Sequence, residues 1–333
     1  MTMAAVAVAV SLVGLSLGSC SGDDPVNSSE VPVSSTETTA SSTTTRSEAV
    51  PSEPIEGSTP QGAAAFLGPV RTIEANGIEI GYRQFGEGEP LLLIMGQAGT
   101  MSLWDYTLMQ GLVEAGFEVT MFDNRGMAYS TDDVSKPLTL ELMAHDTVAL
   151  IEALGLEKPT VVGWSMGGEI ALTLATGEDA DKVGTIITCG STPGGSHEVD
   201  GPPEVYRELA DPDISPERLL ELIFPTGAAD AIAAFVSSIA LYPSKAASPE
   251  SIKRQAQAED TYSSDDSVWD GLPHVQNKVV ITNGSADVVV PVQNAYLLGE
   301  RLNGAVVEVF GGAGHAALMQ DQERFIEVVV RNA

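Results

Sequence analysis

Short apolar runs alternate along the chain from Val70 onward with stretches whose apolar residues recur at helical spacing. The runs rich in β-branched residues predict eight strands, over 70–74, 78–84, 91–95, 118–122, 159–163, 184–189, 278–283 and 306–310. Asn76-Gly77, between the first two, predicts a hairpin turn. The alternation with helices predicts an α/β fold, a mostly parallel eight-stranded sheet with helices on both faces.

Five helices are predicted between these strands, over 103–115, 140–154, 166–176, 292–302 and 317–330. Over 194–272 the alternation stops, and helical patterns with Pro-rich joints replace it. One of them, over 228–242, places Ile232, Phe235 and Ile239 on one face. We predict that this insertion is a helical lid over the carboxyl edge of the sheet, where open α/β sheets bind ligands.

The apolar residues of the lid allow two interpretations. They either line an acyl pocket or pack the lid against the core, and the second is the more common role of such residues. The residues concerned are Leu219, Leu220, Ile223, Phe224, Ile232 and Phe235.

The first 19 residues carry no charge and end in Leu17-Gly18-Ser19-Cys20. This pattern resembles the signal peptide and lipobox of bacterial lipoproteins, which implies lipid on Cys20 and an extracytoplasmic body anchored to the cell membrane. An uncleaved transmembrane anchor is the alternative. Residues 20–62 are rich in Ser, Thr and Pro, which predicts a disordered tether or a glycosylated stalk, so the folded domain is expected over 63–333.

The net charge and the few cysteines indicate which ligands and reactive groups the chain is expected to lack. The formal net charge of −30 at pH 7 opposes binding to a nucleic acid, whose phosphates would be repelled. Cys189 ends an apolar run, so we predict a buried, unreactive thiol. No Cys or His cluster has metal-ligand spacing, and no metal site is predicted.

Ser165 is the strongest candidate nucleophile. It lies in Gly163-Trp164-Ser165-Met166-Gly167, between a predicted strand and a predicted helix, as the sharp GxSxG turn requires. The glycines lack the Cβ atoms that would collide in so tight a turn.

A serine nucleophile requires a base, and the base requires an orienting carboxylate. Of four histidines, His315 follows a predicted strand in a glycine-rich loop, whereas His145 lies within a predicted helix and His197 and His274 lie at the lid borders. Asp287 follows the seventh predicted strand. The order Ser165, Asp287, His315 predicts a catalytic triad, although an Asp that follows Gly-Ser, taken alone, is commonly a helix or turn cap.

Two backbone N–H groups are expected to form an oxyanion hole. One belongs to the residue after the nucleophile, Met166, and the other to the loop after the third predicted strand, where Gln97 is the best candidate.

Together with GWSMGG, the segment DNRGMAYS at 123–130 resembles the capped α/β-hydrolase group of esterases, lactonases and perhydrolases. The resemblance covers about 66–330 and implies the α/β-hydrolase fold and no cofactor. Met95-Gly96 replaces the His-Gly pair that many members carry, which leaves the backbone donor of Gln97 intact. Asp123 and Arg125 are expected to pin loops rather than to take part in catalysis.

We therefore expect a serine hydrolase that cleaves an ester, thioester or lactone of a small, partly apolar molecule. A cofactor-free perhydrolase or haloperoxidase-like enzyme would use the same residues. A surface binding protein without turnover is the alternative from another functional class, and the presence of all three candidate triad residues argues against it.

Overall fold

A single mixed sheet forms the centre of the protein. The computed structural model describes residues 59–209, 211, 214–241 and 245–333. Its strands are β1 (Arg71–Ala75), β2 (Ile78–Phe85), β3 (Glu89–Ile94), β4 (Phe117–Phe122), β5 (Thr160–Trp164), β6 (Ile186–Cys189), β7 (Val279–Gly284) and β8 (Val306–Phe310). All eight predicted strands are confirmed, with bounds shifted by at most two residues.

The strand order is β1-β2-β4-β3-β5-β6-β7-β8. The first two strands form the predicted antiparallel hairpin, with Asn76 and Gly77 both at positive φ, and β2 also pairs antiparallel with β4. All other pairs are parallel. The carboxyl ends of β3 to β8 therefore lie along one edge, and the loops that follow them meet there.

Helices cover both faces of the sheet. They are α1 (Pro60–Leu67), α2 (Tyr106–Glu114), α3 (Leu140–Leu154), α4 (Met166–Thr176), α5 (Pro203–Leu209), α6 (Pro216–Ile223), α7 (Ala229–Ile239), α8 (Pro249–Tyr262), α9 (Ser267–Gly271), α10 (Gln293–Arg301), α11 (Ala317–Gln320) and α12 (Gln322–Asn332). One large apolar core lies on each face, so the central strands are buried on both sides.

Three predicted boundaries differ from the structure. Helix α2 begins at Tyr106 rather than at 103, because the Asp105 side chain accepts hydrogen bonds from its first free N–H groups. The predicted helix over 317–330 is two helices, since Asp321 leaves the helical conformation and caps α12. Helix α1 begins at Pro60, inside the predicted tether, and buries Ala63 and Leu67 completely.

The insertion between β6 and β7 is helical, as predicted, and contains α5 to α9. The helix predicted over 228–242 is α7, and Tyr242 lies outside the described residues. We call α5 to α8 the cap.

Cys20, the predicted signal segment and most of the predicted tether also lie outside the described residues. In the part of the chain that the structure describes, none of the helices has the length and apolar character needed to span a membrane.

Candidate active site

Ser165 lies at a sharp turn between β5 and α4. Its backbone has φ 57° and ψ −125°, a strained conformation for a residue with a side chain. A Cβ atom on Gly163 would lie 2.2 Å from the Gly167 carbonyl oxygen, and one on Gly167 would lie 2.1 Å from that of Ile94. The turn therefore requires both glycines, which explains the GxSxG spacing.

His315 and Asp287 lie together on the loops after β8 and β7. Nδ1 of His315 is 2.9 Å from Oδ2 of Asp287, and both side chains are buried. The other carboxylate oxygen accepts hydrogen bonds from the N–H groups of Val289 and Val290, at 2.9 and 2.8 Å. These bonds orient the carboxylate, and the carboxylate in turn orients the imidazole. Because Nδ1 pairs with Asp287, Nε2 is the ring nitrogen left to accept a proton.

Ser165 and His315 both line a cavity of about 730 Å³ between the sheet edge and the cap. Both interpretations of the lid residues hold for most of them, because Leu219, Leu220, Ile223, Ile232 and Phe235 line this cavity and also pack in or against the buried apolar clusters. Phe224 instead packs on Phe235, with ring centroids 5.6 Å apart. The wall that the cap contributes is thus largely aliphatic.

Of the two predicted oxyanion donors, Gln97 lines the same cavity and Met166 directly follows Ser165. Met166 is the first residue of α4, whose N-terminus favours negative charge, and Gln97 follows β3. Among the described residues, neither backbone N–H has a hydrogen-bond acceptor. Both groups are therefore free to bind a developing oxyanion.

Three residues that the sequence analysis missed hold this arrangement. Trp164 donates from Nε1 to the carbonyl of His315 at 3.0 Å. Gln255 of α8 accepts from the N–H of Ala98 at 2.7 Å, which holds the loop that carries Gln97. Gly190 has φ 59°, and a Cβ there would lie 3.0 Å from Nδ1 of His315 and 3.2 Å from Oδ2 of Asp287.

Of these three, only Gly190 carried a signal in the sequence, since a glycine directly after a buried strand marks a close approach. The contacts of Trp164 and Gln255 join residues 151 and 157 positions apart, so no local pattern reveals them.

The remaining candidates lie away from the cavity. His145 is exposed on α3, His197 stacks on Trp269, and His274 is exposed before β7. Burial raises the pKa of the Cys189 thiol to about 12, as expected for an unreactive cysteine.

Asp123 and Arg125 have the loop-pinning contacts that were predicted for them. The carboxylate of Asp123 accepts from the N–H groups of Met101 and Tyr129, and burial raises its pKa to about 6. Arg125 pairs with Asp146 of α3.

A buried carboxyl cluster lies beneath the cap, one helical turn beyond Ser165. It consists of Glu169 on α4, Glu198 on the loop after β6, and Glu259 on α8. Burial, followed by the charge of Glu198, raises the pKa of Glu169 to about 8, although Thr192 donates to it from its N–H and its hydroxyl. Burial and the charge of Glu169 also raise the pKa of Glu259 well above its ordinary value.

Comparison with known proteins agrees with this architecture. A family model described as the α/β-hydrolase fold matches residues 89–322. A putative carbamate hydrolase from a Caulobacter species is 26% identical over 261 residues, which cover 73% of this chain and 89% of that protein. A putative non-heme bromoperoxidase from Mycobacterium tuberculosis is 35% identical over 97 residues, covering 29% of this chain and 36% of that protein.

Among solved structures, an α/β-hydrolase fold protein from Chitinophaga pinensis superposes with a TM-score of 0.70 at 24% identity. The match covers 80% of this chain and 97% of that protein. At this identity the likeness concerns the fold alone.

Proposed function

Because the chain belongs to the α/β-hydrolase fold family, we propose that it is a serine hydrolase that cleaves a small ester, thioester or lactone through an acyl-enzyme. The observation that carries the proposal is the pairing of His315 with Asp287 at the cavity into which the Ser165 turn opens. One relative is named a putative carbamate hydrolase, and a carbamate, like an ester, has a carbonyl carbon bonded to a heteroatom.

In the proposed reaction, the Ser165 oxygen bonds to the substrate carbonyl carbon while its proton passes to Nε2 of His315. The N–H groups of Gln97 and Met166 stabilise the negative carbonyl oxygen. Cleavage of the carbon–heteroatom bond releases the leaving group, which takes the proton from His315. Water then gives a proton to Nε2 of His315 as its oxygen bonds to the acyl carbon. The bond between that carbon and the Ser165 oxygen breaks, the serine oxygen takes the proton back from His315, and the acid is released.

The aliphatic wall supports a partly apolar substrate. Leu220 and Ile223 of α6 and Ile232 and Val236 of α7 would contact the acyl or alkoxy group. A cavity of about 730 Å³ lies within the usual range for small-molecule sites and suits a substrate of modest size.

The direct test is hydrolysis of p-nitrophenyl acetate and butyrate by wild type and Ser165→Ala. We expect kcat to fall by at least about a thousandfold, because the other groups cannot replace the nucleophile. Ser237→Ala, on the exposed face of α7, is the matched control and should retain wild-type rates. Wild-type hydrolysis by Ser165→Ala would refute the proposal.

Labelling with a fluorophosphonate separates the enzyme from a pure binding protein. We expect covalent labelling of wild type and none of Ser165→Ala. Wild-type protein that binds an apolar ester without being labelled would instead be a binding protein on the same fold.

Perhydrolysis is a second candidate, favoured by the 35% identity to the putative bromoperoxidase over 97 residues. Hydrogen peroxide would replace water on the same acetyl-enzyme, and acetate plus peroxide would give peracetic acid and water. Peracid formation in acetate and peroxide, compared with ester hydrolysis under the same conditions, distinguishes the two activities.

The lipid anchor on Cys20 and the extracytoplasmic position of the domain are also proposed, from the sequence pattern alone. Feeding a bacterial host an alkyne fatty acid should label the full-length chain, and Cys20→Ala should abolish the label. Equal labelling of both chains would contradict the anchor.

A further inference from the structure

The amide of Gln97 is an unused donor and acceptor beside the candidate nucleophile. Gln97 is 6% exposed, and neither its amide nitrogen nor its amide oxygen has a hydrogen-bond partner among the described residues. Of the cavity-lining residues that the structure describes, Gln97 alone has buried side-chain polar atoms without a partner. Proteins seldom bury a whole amide in this way without a use for it.

The surroundings of this amide are apolar. Met95 and Leu103 line the cavity from the same region of the chain, and the facing cap helices present aliphatic side chains such as Leu220 and Val236. Since the described residues supply no partner, a polar group of a ligand is the natural one. A site with a buried donor and acceptor discriminates strongly against ligands that leave them unpaired.

We propose that Gln97 recognises the substrate through its side chain, by hydrogen bonding to a hydroxyl or oxo group close to the scissile carbonyl. The proposal rests on the proposed function, because Gln97 also supplies an oxyanion N–H there. A glutamine amide reaches only about 5 Å from its own backbone. The polar group of the substrate should therefore lie on the second or third carbon of the acyl chain, and the rest of the chain should be apolar.

The test compares substrates that differ by one hydroxyl: methyl hexanoate, its 2-hydroxy and 3-hydroxy derivatives, and methyl 6-hydroxyhexanoate, each hydrolysed under pH-stat control. We call the 2-hydroxy and 3-hydroxy derivatives the near-hydroxyl esters. In wild type, we expect kcat/KM to be higher for at least one near-hydroxyl ester than for methyl hexanoate. Gln97→Met keeps the backbone N–H and the side-chain length but removes both polar atoms. The variant should lower the ratio of kcat/KM for that near-hydroxyl ester to kcat/KM for methyl hexanoate about tenfold, which is the effect of losing one hydrogen bond.

Two controls make this result specific. Methyl 6-hydroxyhexanoate places its hydroxyl beyond the reach of the amide, so its ratio to methyl hexanoate should not change in Gln97→Met. Gln110→Met removes another glutamine, whose amide oxygen is buried without a partner among the described residues but which does not line the cavity. Every ratio should stay at the wild-type value. Equal near-hydroxyl ratios in wild type and Gln97→Met would overturn the proposal.

A binding measurement separates this proposal from the proposed hydrolysis. Calorimetry on Ser165→Ala with hexanamide and 3-hydroxyhexanamide should show tighter binding of the hydroxylated amide, and the added Gln97→Met change should remove the preference. If hydrolysis is absent but this preference holds, the proposed function fails and recognition by Gln97 stands. If hydrolysis depends on Ser165 but Gln97→Met changes neither the kcat/KM ratios of the esters nor the relative affinity for the two amides, only the proposed recognition by Gln97 fails.

Discussion

The cap helices α7 and α8 contact the candidate site in opposite ways. Helix α7 lines the cavity through Ile232, Ala233, Phe235, Val236 and Ile239. Helix α8 contributes no residue to that cavity and instead buries polar side chains against the core.

The buried polar contacts of α8 reach three parts of the core. Arg254 lies 3.0 Å from Asp132, Gln255 accepts from the N–H of Ala98, and Glu259 joins the buried carboxyl cluster. Helix α7 also has a buried polar residue, Ser238, which donates to Asp105 at 2.8 Å and accepts from the N–H of Tyr106 at 2.6 Å. Its residues that line the cavity, however, are all apolar.

This difference separates two functions of one insertion. Aliphatic side chains on α7 can change without leaving a buried polar group unpaired, so α7 is suited to setting which substrate fits. The polar contacts of α8 hold the loop that carries Gln97, so α8 is suited to setting the geometry of the reaction itself.

Of the changes in the two cap helices, the largest expected effect follows from Gln255. Gln255→Leu leaves the Ala98 N–H buried without an acceptor and frees the Gln97 loop to move. We expect kcat for p-nitrophenyl acetate and octanoate to fall equally, by roughly tenfold to a hundredfold, with KM unchanged. Steady-state kinetics on both esters measures this.

The conservative variant tests whether Gln255 acts through position. Gln255→Glu keeps an acceptor oxygen and should recover most of the lost kcat. Gln257→Leu makes the same change on the exposed face of α8 and should have little effect. A change in KM that differs between the two esters would assign Gln255 to the substrate wall and break the contrast with α7.

A smaller and selective effect is expected from α7. Ile232→Trp fills part of the cavity, so kcat/KM for p-nitrophenyl octanoate should fall about tenfold, within the range for steric discrimination in apolar pockets. The acetate ester, which does not extend that far, should be hydrolysed at the wild-type rate. Ala234→Trp adds the same side chain on the exposed face and should preserve both rates. An equal loss for both esters would show that α7 also sets geometry.

The sequence predicted the sheet and the candidate triad because their signals are local. Each strand is a short apolar run. Ser165 directly follows β5, Asp287 lies in the loop after β7, and His315 lies in the loop after β8. Parallel pairing then brings them to one edge of the sheet.

The contribution of the cap was not predictable in the same way. Periodicity shows which face of α7 is apolar, but whether that face meets the core or an open cavity depends on how the helix sits over the sheet. On α8, Gln255 and Glu259 are typical of a solvated helix face. Gln255 is bonded to the N–H of Ala98, and Glu259 lies within range of the charge of Glu169; both partners are distant in the sequence.

The smallest expected effect concerns the pH dependence of stability at the Glu259 end of α8. The pKa of Glu259 is raised in the folded protein by burial and by the charge of Glu169, whose own pKa rises to about 8. Glu198 and Asp260 add negative charge, and Tyr262 is buried nearby. Between pH 4.5 and pH 8 the folded protein thus binds more protons at this cluster than the unfolded chain. Its contribution to the free energy of unfolding must fall as pH rises through that window.

Urea unfolding at pH 5 and pH 8 measures this contribution. Glu259→Gln keeps the shape of the side chain and cannot ionise. Between pH 5 and pH 8, its free energy of unfolding should therefore fall less than that of wild type, by roughly 1 kcal/mol or more. Glu250→Gln removes an exposed carboxyl from the first turn of the same helix and should follow the wild-type pH dependence. If Glu259→Gln and wild type lost stability in parallel, the cluster would be ionised in the folded protein at both pH values. The polar face of α8 would then behave like a solvated helix surface, and its buried polar contacts would no longer distinguish it from α7.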